Sequence, residues 1–148
     1  MGYDGMTMQS HDRRTTADTQ LETALSLYFG GQDYFSVITL AGAADTIFGQ
    51  ILKSEGGVSE LDLLKKNVGA IHKWLTGEDC DLSLVANRAN MARNALKHWD
   101  PNQPITIDFD AEQEAKDMLD RAITNLWRLG GNPSEAATRF LKQKLPIV

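Results

Sequence analysis

Apolar residues recur at intervals of three and four along most of this chain, and glycines or an Asp-Pro step interrupt them. A helical bundle is built from that combination, whereas a sheet needs alternation. The clearest stretch runs Leu61, Leu64, Val68, Ile71 and Leu75, stepping by 3, 4, 3 and 4 before Gly77. Ser59-Glu60-Leu61-Asp62 precedes it as a variant of the capping box, with Val58 placed to staple the first turn. Upstream, Thr19-Gln20-Leu21-Glu22 fits a capping box, and Leu21, Ala24, Leu25 and Tyr28 form one face up to Gly30-Gly31. A second helix is expected from about Tyr34 to Ser54, ending at Gly56-Gly57.

A fourth helix is expected from about Leu84 to Trp99, closed by Asp100-Pro101, with Val85, Ala89, Ala92, Leu96 and Trp99 facing the core. Within residues 100–109, Ile105-Thr106-Ile107-Asp108-Phe109 alternates like a strand, but no second strand exists to pair with it, so an extended connector is expected. A fifth helix starts at Asp108 or Asp110 and turns Ala115, Met118, Leu119, Ala122, Leu126 and Leu129 inward. Asn132-Pro133-Ser134-Glu135 then places an N-cap, a proline at the first helical position and an early acid, opening a short last helix through about Lys144. The predicted fold is all-α, an antiparallel bundle of five to six helices without significant sheet. Residues 1–16 read as a flexible polar tail and residues 17–148 as a single domain.

Composition narrows the function classes. The one cysteine, Cys80, cannot form an internal disulfide framework, and residues 1–16 hold no apolar segment of a secretory signal. The most apolar run, near Val37–Ala44, is far shorter than a membrane span. These features predict an intracellular, cytoplasmic setting without a membrane. His11, His72, His98 and Cys80 show no metal-ligand spacing, and no phosphate-binding glycine loop occurs, so neither a metal nor a cofactor is expected. The net charge of −5 argues against indiscriminate polyanion binding. That charge is unevenly spread. Residues 82–99 carry three cations and no acid, whereas residues 100–120 carry seven acids and one lysine.

Two segments combine polar residues with apolar helix faces. Asp45 is the only ionisable carboxylate between Tyr34 and Leu52, a stretch without lysine or arginine. On a helical projection it shares a face with Tyr34, Ile38, Ala41, Phe48, Gly49 and Leu52, opposite Ser36, Thr39, Ala43, Thr46 and Gln50. A carboxylate on such a face calls for a cationic or donor partner from another helix. The small residues Ala41-Gly42-Ala43-Ala44 would admit that neighbour closely. In the fourth helix, Asn87, Asn90 and Asn94 recur on one face, with His98 a turn beyond. Asparagine is a poor helix former, and three of them supply both donors and acceptors for a polar site or interface.

Arg93-Asn94-Ala95-Leu96-Lys97-His98 resembles the R-N-x-x-x-H motif of HEPN domains. These are small helical bundles, many of them metal-independent ribonucleases and others nucleotide-binding or inert partners in toxin–antitoxin and defence systems. The resemblance implies a homodimer in which motifs meet across the interface, with RNA or a nucleotide as ligand. It casts His98 as general acid or base and Arg93 as the group that holds phosphate and developing charge, with Asn94 orienting it and Lys97 adding phosphate affinity. Asn90 and Asp45 join as further binding candidates. Asn94-x-x-Lys97-His98 followed by Asp100-Pro101, together with Ala24-Leu25-Ser26-Leu27-Tyr28-Phe29, is also similar to uncharacterised small helical bacterial proteins in which arginine does not define the segment. Trp99 directly after the histidine departs from the usual HEPN pattern, which has an aromatic residue two positions on. Arg93 and His98 lie about 140° apart on a straight helix, so one protomer joins them only if the helix ends between them. The alternative is a non-catalytic dimeric protein-interaction module, in which Asn94, Lys97, His98 and Asp45 form a structural polar network.

Overall fold

A computed structural model describes residue 5 and residues 7–145. Among the described residues there are seven helices and no strand: α1 (Arg13–Gly30), α2 (Tyr34–Ser54), α3 (Glu60–Thr76), α4 (Leu82–Ala89), α5 (Met91–Lys97), α6 (Ala111–Arg128) and α7 (Glu135–Lys144). The all-α class stands. The number exceeds five to six because the expected fourth helix is two, broken at Asn90.

Local chemistry sets most boundaries. Asp33 accepts from the Ser36 backbone N–H to start α2, and Ser59 accepts from Asp62 to start α3. Gly31 and Gly77 take the left-handed conformation just past α1 and α3, where a side chain would be strained. Two caps differ from expectation. α1 begins at Arg13, six residues before Thr19, because Asp12 accepts from both the backbone N–H and the hydroxyl of Thr15. Thr19 is then mid-helix, its hydroxyl donating to the Thr15 carbonyl. α7 begins two residues later than expected, capped by Ser134 rather than Asn132. The expected tail is therefore shorter: residues 7–12 carry no regular structure, and its residues 1–4 and 6 lie outside the described set.

The core is a three-helix stack with α2 in the middle. Val37, Ile38, Ala41, Ala44 and Phe48 of α2 are fully buried against Leu21, Ala24 and Leu25 of α1 and Met118, Leu119, Ala122 and Ile123 of α6. Phe140 of α7 closes one side, edge-on to Tyr28. Among the described residues α2 alone is long and apolar enough to cross a membrane, with a mean hydropathy of 1.5, and half of that window is buried inside the bundle. α3 departs from the sequence expectation. Its regular apolar stripe was expected inside, yet α3 and α4 contribute no buried residue, and Ile71, Trp74, Leu75 and Leu84 are exposed. The two helices pack mainly on each other beside the stack. Trp99, expected in the core, is 55% exposed.

Candidate functional site

The one acid on the apolar face of α2 organises the polar interior. Asp45 is 4% exposed, and one oxygen accepts from Arg121 Nη2 at 2.7 Å while the other accepts from Asn125 Nδ2 at 2.9 Å. Asn125 Oδ1 in turn accepts the Glu60 backbone N–H at 2.9 Å, so the amide ties the start of α3 to the centre of α2. Arg93 approaches from α5, with Nη1 at 3.8 Å from Asp45 and donating to the Thr46 hydroxyl at 2.9 Å. Burial pushes the Asp45 carboxyl above its ordinary value, and the charges of Arg121 and Arg93 pull the other way.

Arg121 also explains the broken helix. Its Nη1 donates to the Ala89 carbonyl at 3.2 Å and to Asn90 Oδ1 at 2.9 Å. In an unbroken helix that carbonyl would accept from the N–H four residues later; here α4 stops at Ala89, and the guanidinium takes the freed acceptor. Asn90 is consequently buried rather than aligned with Asn87 and Asn94. Arg121 Nε is buried without a hydrogen-bond partner among the described residues, leaving one donor of the cluster unused.

A small residue makes room for Arg93. A Cβ added at Gly42 would stand 2.5 Å from Arg93 Cδ and 2.9 Å from Cγ. The aliphatic stem of Arg93 therefore lies directly on α2 where a side chain is missing. On the side of Arg93 the cluster opens to a cleft of about 180 Å³, lined by Asp45, Thr46, Lys53, Asp62, Lys65 and Arg93. Asp62 already bridges Lys53 at 3.4 Å and Lys65 at 3.2 Å.

The six candidate residues from the sequence thus fall into two groups. Asp45, Asn90 and Arg93 belong to the buried cluster. Asn94, Lys97 and His98 are exposed and take no part in it. α5 ends at Lys97, and His98 follows in extended conformation. With Asn94, it lines a separate cleft of about 490 Å³ between the α4–α5 face and residues 103–107. Arg93 and His98 therefore line different cavities within one protomer. The network imagined for Asn94, Lys97 and His98 with Asp45 does not form; Arg121 and Asn125 occupy those roles.

Arg121 and Asn125 were missed by sequence reasoning, although one signal was present. Asn125 interrupts the inward stripe of α6 between Ala122 and Leu126, the same kind of polar intrusion that marks Asp45 in α2. Two such intrusions on facing helices are a pairing signal. Among the described residues no group of three His, Cys, Asp or Glu side chains is placed to hold a metal. Scanned against protein-family models, curated proteins and solved structures, the chain finds no match.

Proposed function

We propose that this protein is a non-catalytic interaction module that pairs with a second copy of itself through the exposed face of α3 and α4. One observation carries the reading: α3 has the apolar spacing of a packed helix but buries none of those residues. Trp74 is 83% exposed, Leu75 67% and Ile71 58%, with Leu64 and Leu84 alongside. Contiguous apolar patches beyond a few hundred Å² mark association surfaces. An aromatic side chain alone buries ~150–250 Å² when packed, so two such faces can bury roughly 1,000 Å² together, where specific interfaces begin. A two-fold axis would use the same patch twice, which needs no second surface. The engagement of Arg93 and Asn90 inside the fold supports a structural rather than catalytic role for them. Sedimentation velocity tests the proposal: the full chain should sediment as a dimer at micromolar concentration, and Ile71→Lys/Leu75→Glu as a monomer whose far-UV circular dichroism spectrum is unchanged. A monomeric wild type, or a dimer indifferent to those substitutions, overturns it.

A second reading keeps the HEPN-like site, because α5 ends between Arg93 and His98 and frees the histidine from helical spacing. It requires groups from two copies to meet, with His98 serving as acid or base on an RNA 2′-hydroxyl. RNA cleavage by wild type, His98→Ala and Arg93→Ala tests it, and equal background activity in all three rejects it. His98 is exposed and makes no side-chain hydrogen bond among the described residues, so its removal leaves the fold intact.

A further inference from the structure

The 490 Å³ cleft that holds His98 shares no lining residue with the buried cluster or with the apolar patch of α3 and α4. Its floor is the outer surface of α4 and α5, which contributes Asn87, Met91, Asn94 and Ala95. Its far wall is the connector, held back against the helices by a tight turn. There the Gln103 N–H donates to the Asp100 carbonyl at 2.8 Å, and the Asn102 N–H donates to the Asp100 carboxylate at 2.9 Å. Ile105 and Ile107 of that wall stand exposed, and Trp99 and His98 join it where the chain leaves α5. The strand-like alternation of residues 105–107 thus serves a cleft wall rather than a sheet.

The lining chemistry is selective. No Asp, Glu, Lys or Arg lines the cleft, and His98 is its one ionisable side chain, so it offers no fixed counter-charge to a phosphate or carboxylate. Met91, Trp99, Ile105 and Ile107 supply apolar and aromatic surface. Asn87, Asn94, Gln103 and Thr106 supply neutral donors and acceptors, and the Asn87 and Asn94 side chains make no hydrogen bond within the protein among the described residues. The volume falls within the ~300–1,000 Å³ of small-molecule sites, which combine apolar walls with a few convergent polar groups. An asparagine amide presents a donor beside an acceptor, the complement of the adjacent acceptor and donor on an adenine edge. An indole adds a flat apolar surface on which a base can stack.

We infer that this cleft binds an uncharged purine base or nucleoside, held by stacking on Trp99 and by amide hydrogen bonds from Asn87 and Asn94. The site is independent of dimer formation and involves neither Arg93 nor the buried cluster. The probe is adenosine, titrated into the full chain while the indole N–H resonances of Trp74, Trp99 and Trp127 are followed by NMR. Trp99 alone should shift, saturably, at up to millimolar adenosine. Trp99→Ala and Asn94→Ala should each weaken binding by about tenfold or more, with affinity for the Trp99 variant read from the ligand signals. The 5′-monophosphate should bind no better than the nucleoside. No saturable Trp99 shift overturns the inference. So does equal binding by Asn94→Ala, which would mean a merely apolar slot, or a strong preference for the monophosphate, which would mean that charge rather than the indole and the amides selects the ligand.

Discussion

Arg121 Nη2 stands 2.7 Å from Asp45 Oδ2, joining α6 to α2 across the interior of the bundle. The same guanidinium reaches the Ala89 carbonyl and Asn90, so one side chain holds three parts of the chain in register. Its partner has no replacement of equal geometry, since Arg93 is 3.8 Å away on the same oxygen. Truncating Arg121 to methionine leaves a buried carboxylate with one amide donor and one distant cation. The expected loss is about 3–5 kcal/mol of unfolding free energy, the usual consequence of removing one partner of a buried pair. Adding Asp45→Leu to Arg121→Met should recover much of it, because the uncompensated charge goes as well. Urea unfolding of the wild type, both single variants and the double variant measures the coupling. Additive losses would show that the pair does not act as a unit.

Gly42 and Arg93 make the second testable pair. A methyl group at position 42 would overlap the middle of the Arg93 stem, at 2.5 Å from Cδ. The arginine must then lift off α2, away from Thr46 and Asp45. Gly42→Ala is expected to cost about 1–3 kcal/mol, as overpacking does, outweighing the gain in helix propensity of roughly 1 kcal/mol. In an Arg93→Ala background the same substitution should be neutral or stabilising, because the obstructing stem is gone. Thermal melts of the four proteins decide it. A Gly42→Ala effect of the same sign and size in both backgrounds would place the cost elsewhere.

These relationships divide what one chain discloses from what it withholds. The limits of α2 and α3 follow from Asp33, Ser59, Gly56 and Gly77, residues that act on their own immediate backbone. The isolation of Asp45 on an apolar face likewise points to burial, since solvation is a property of the side chain itself. The break at Asn90 is different. Ala89-Asn90-Met91 contains neither proline nor glycine, and what competes for the Ala89 carbonyl is a guanidinium 32 residues further on. The stripe of α3 is a third kind of case: periodicity says that one face is apolar but not what covers it. Arg93 and His98 show the same limit. Adjacency in a six-residue motif gave no warning that one would turn toward α2 and the other toward the connector.

The N-caps supply a pH dependence whose sign is fixed. Hydrogen bonds from Ser36 hold the Asp33 carboxyl below its ordinary value, those from Ser83 do so for Asp81, and the Thr15 backbone N–H and hydroxyl do so for Asp12. A carboxyl depressed in the folded state contributes stability above its unfolded value of 3.8, and loses it as pH falls through the lower folded value. Each proton taken up removes the charged acceptor that α1, α2 or α4 uses at its first turn. Asparagine caps a helix nearly as well but does not titrate. The Asp12→Asn/Asp33→Asn/Asp81→Asn variant should therefore match the wild type closely at neutral pH and lose less melting temperature on acidification below 3.8. Contributions common to both proteins, including the opposite shift of Asp45, cancel in the comparison. Carboxyl carbon NMR gives the site values directly. Parallel melting curves from neutral to acid pH, with the three carboxyls titrating at 3.8 or above, would remove the caps from the acid response.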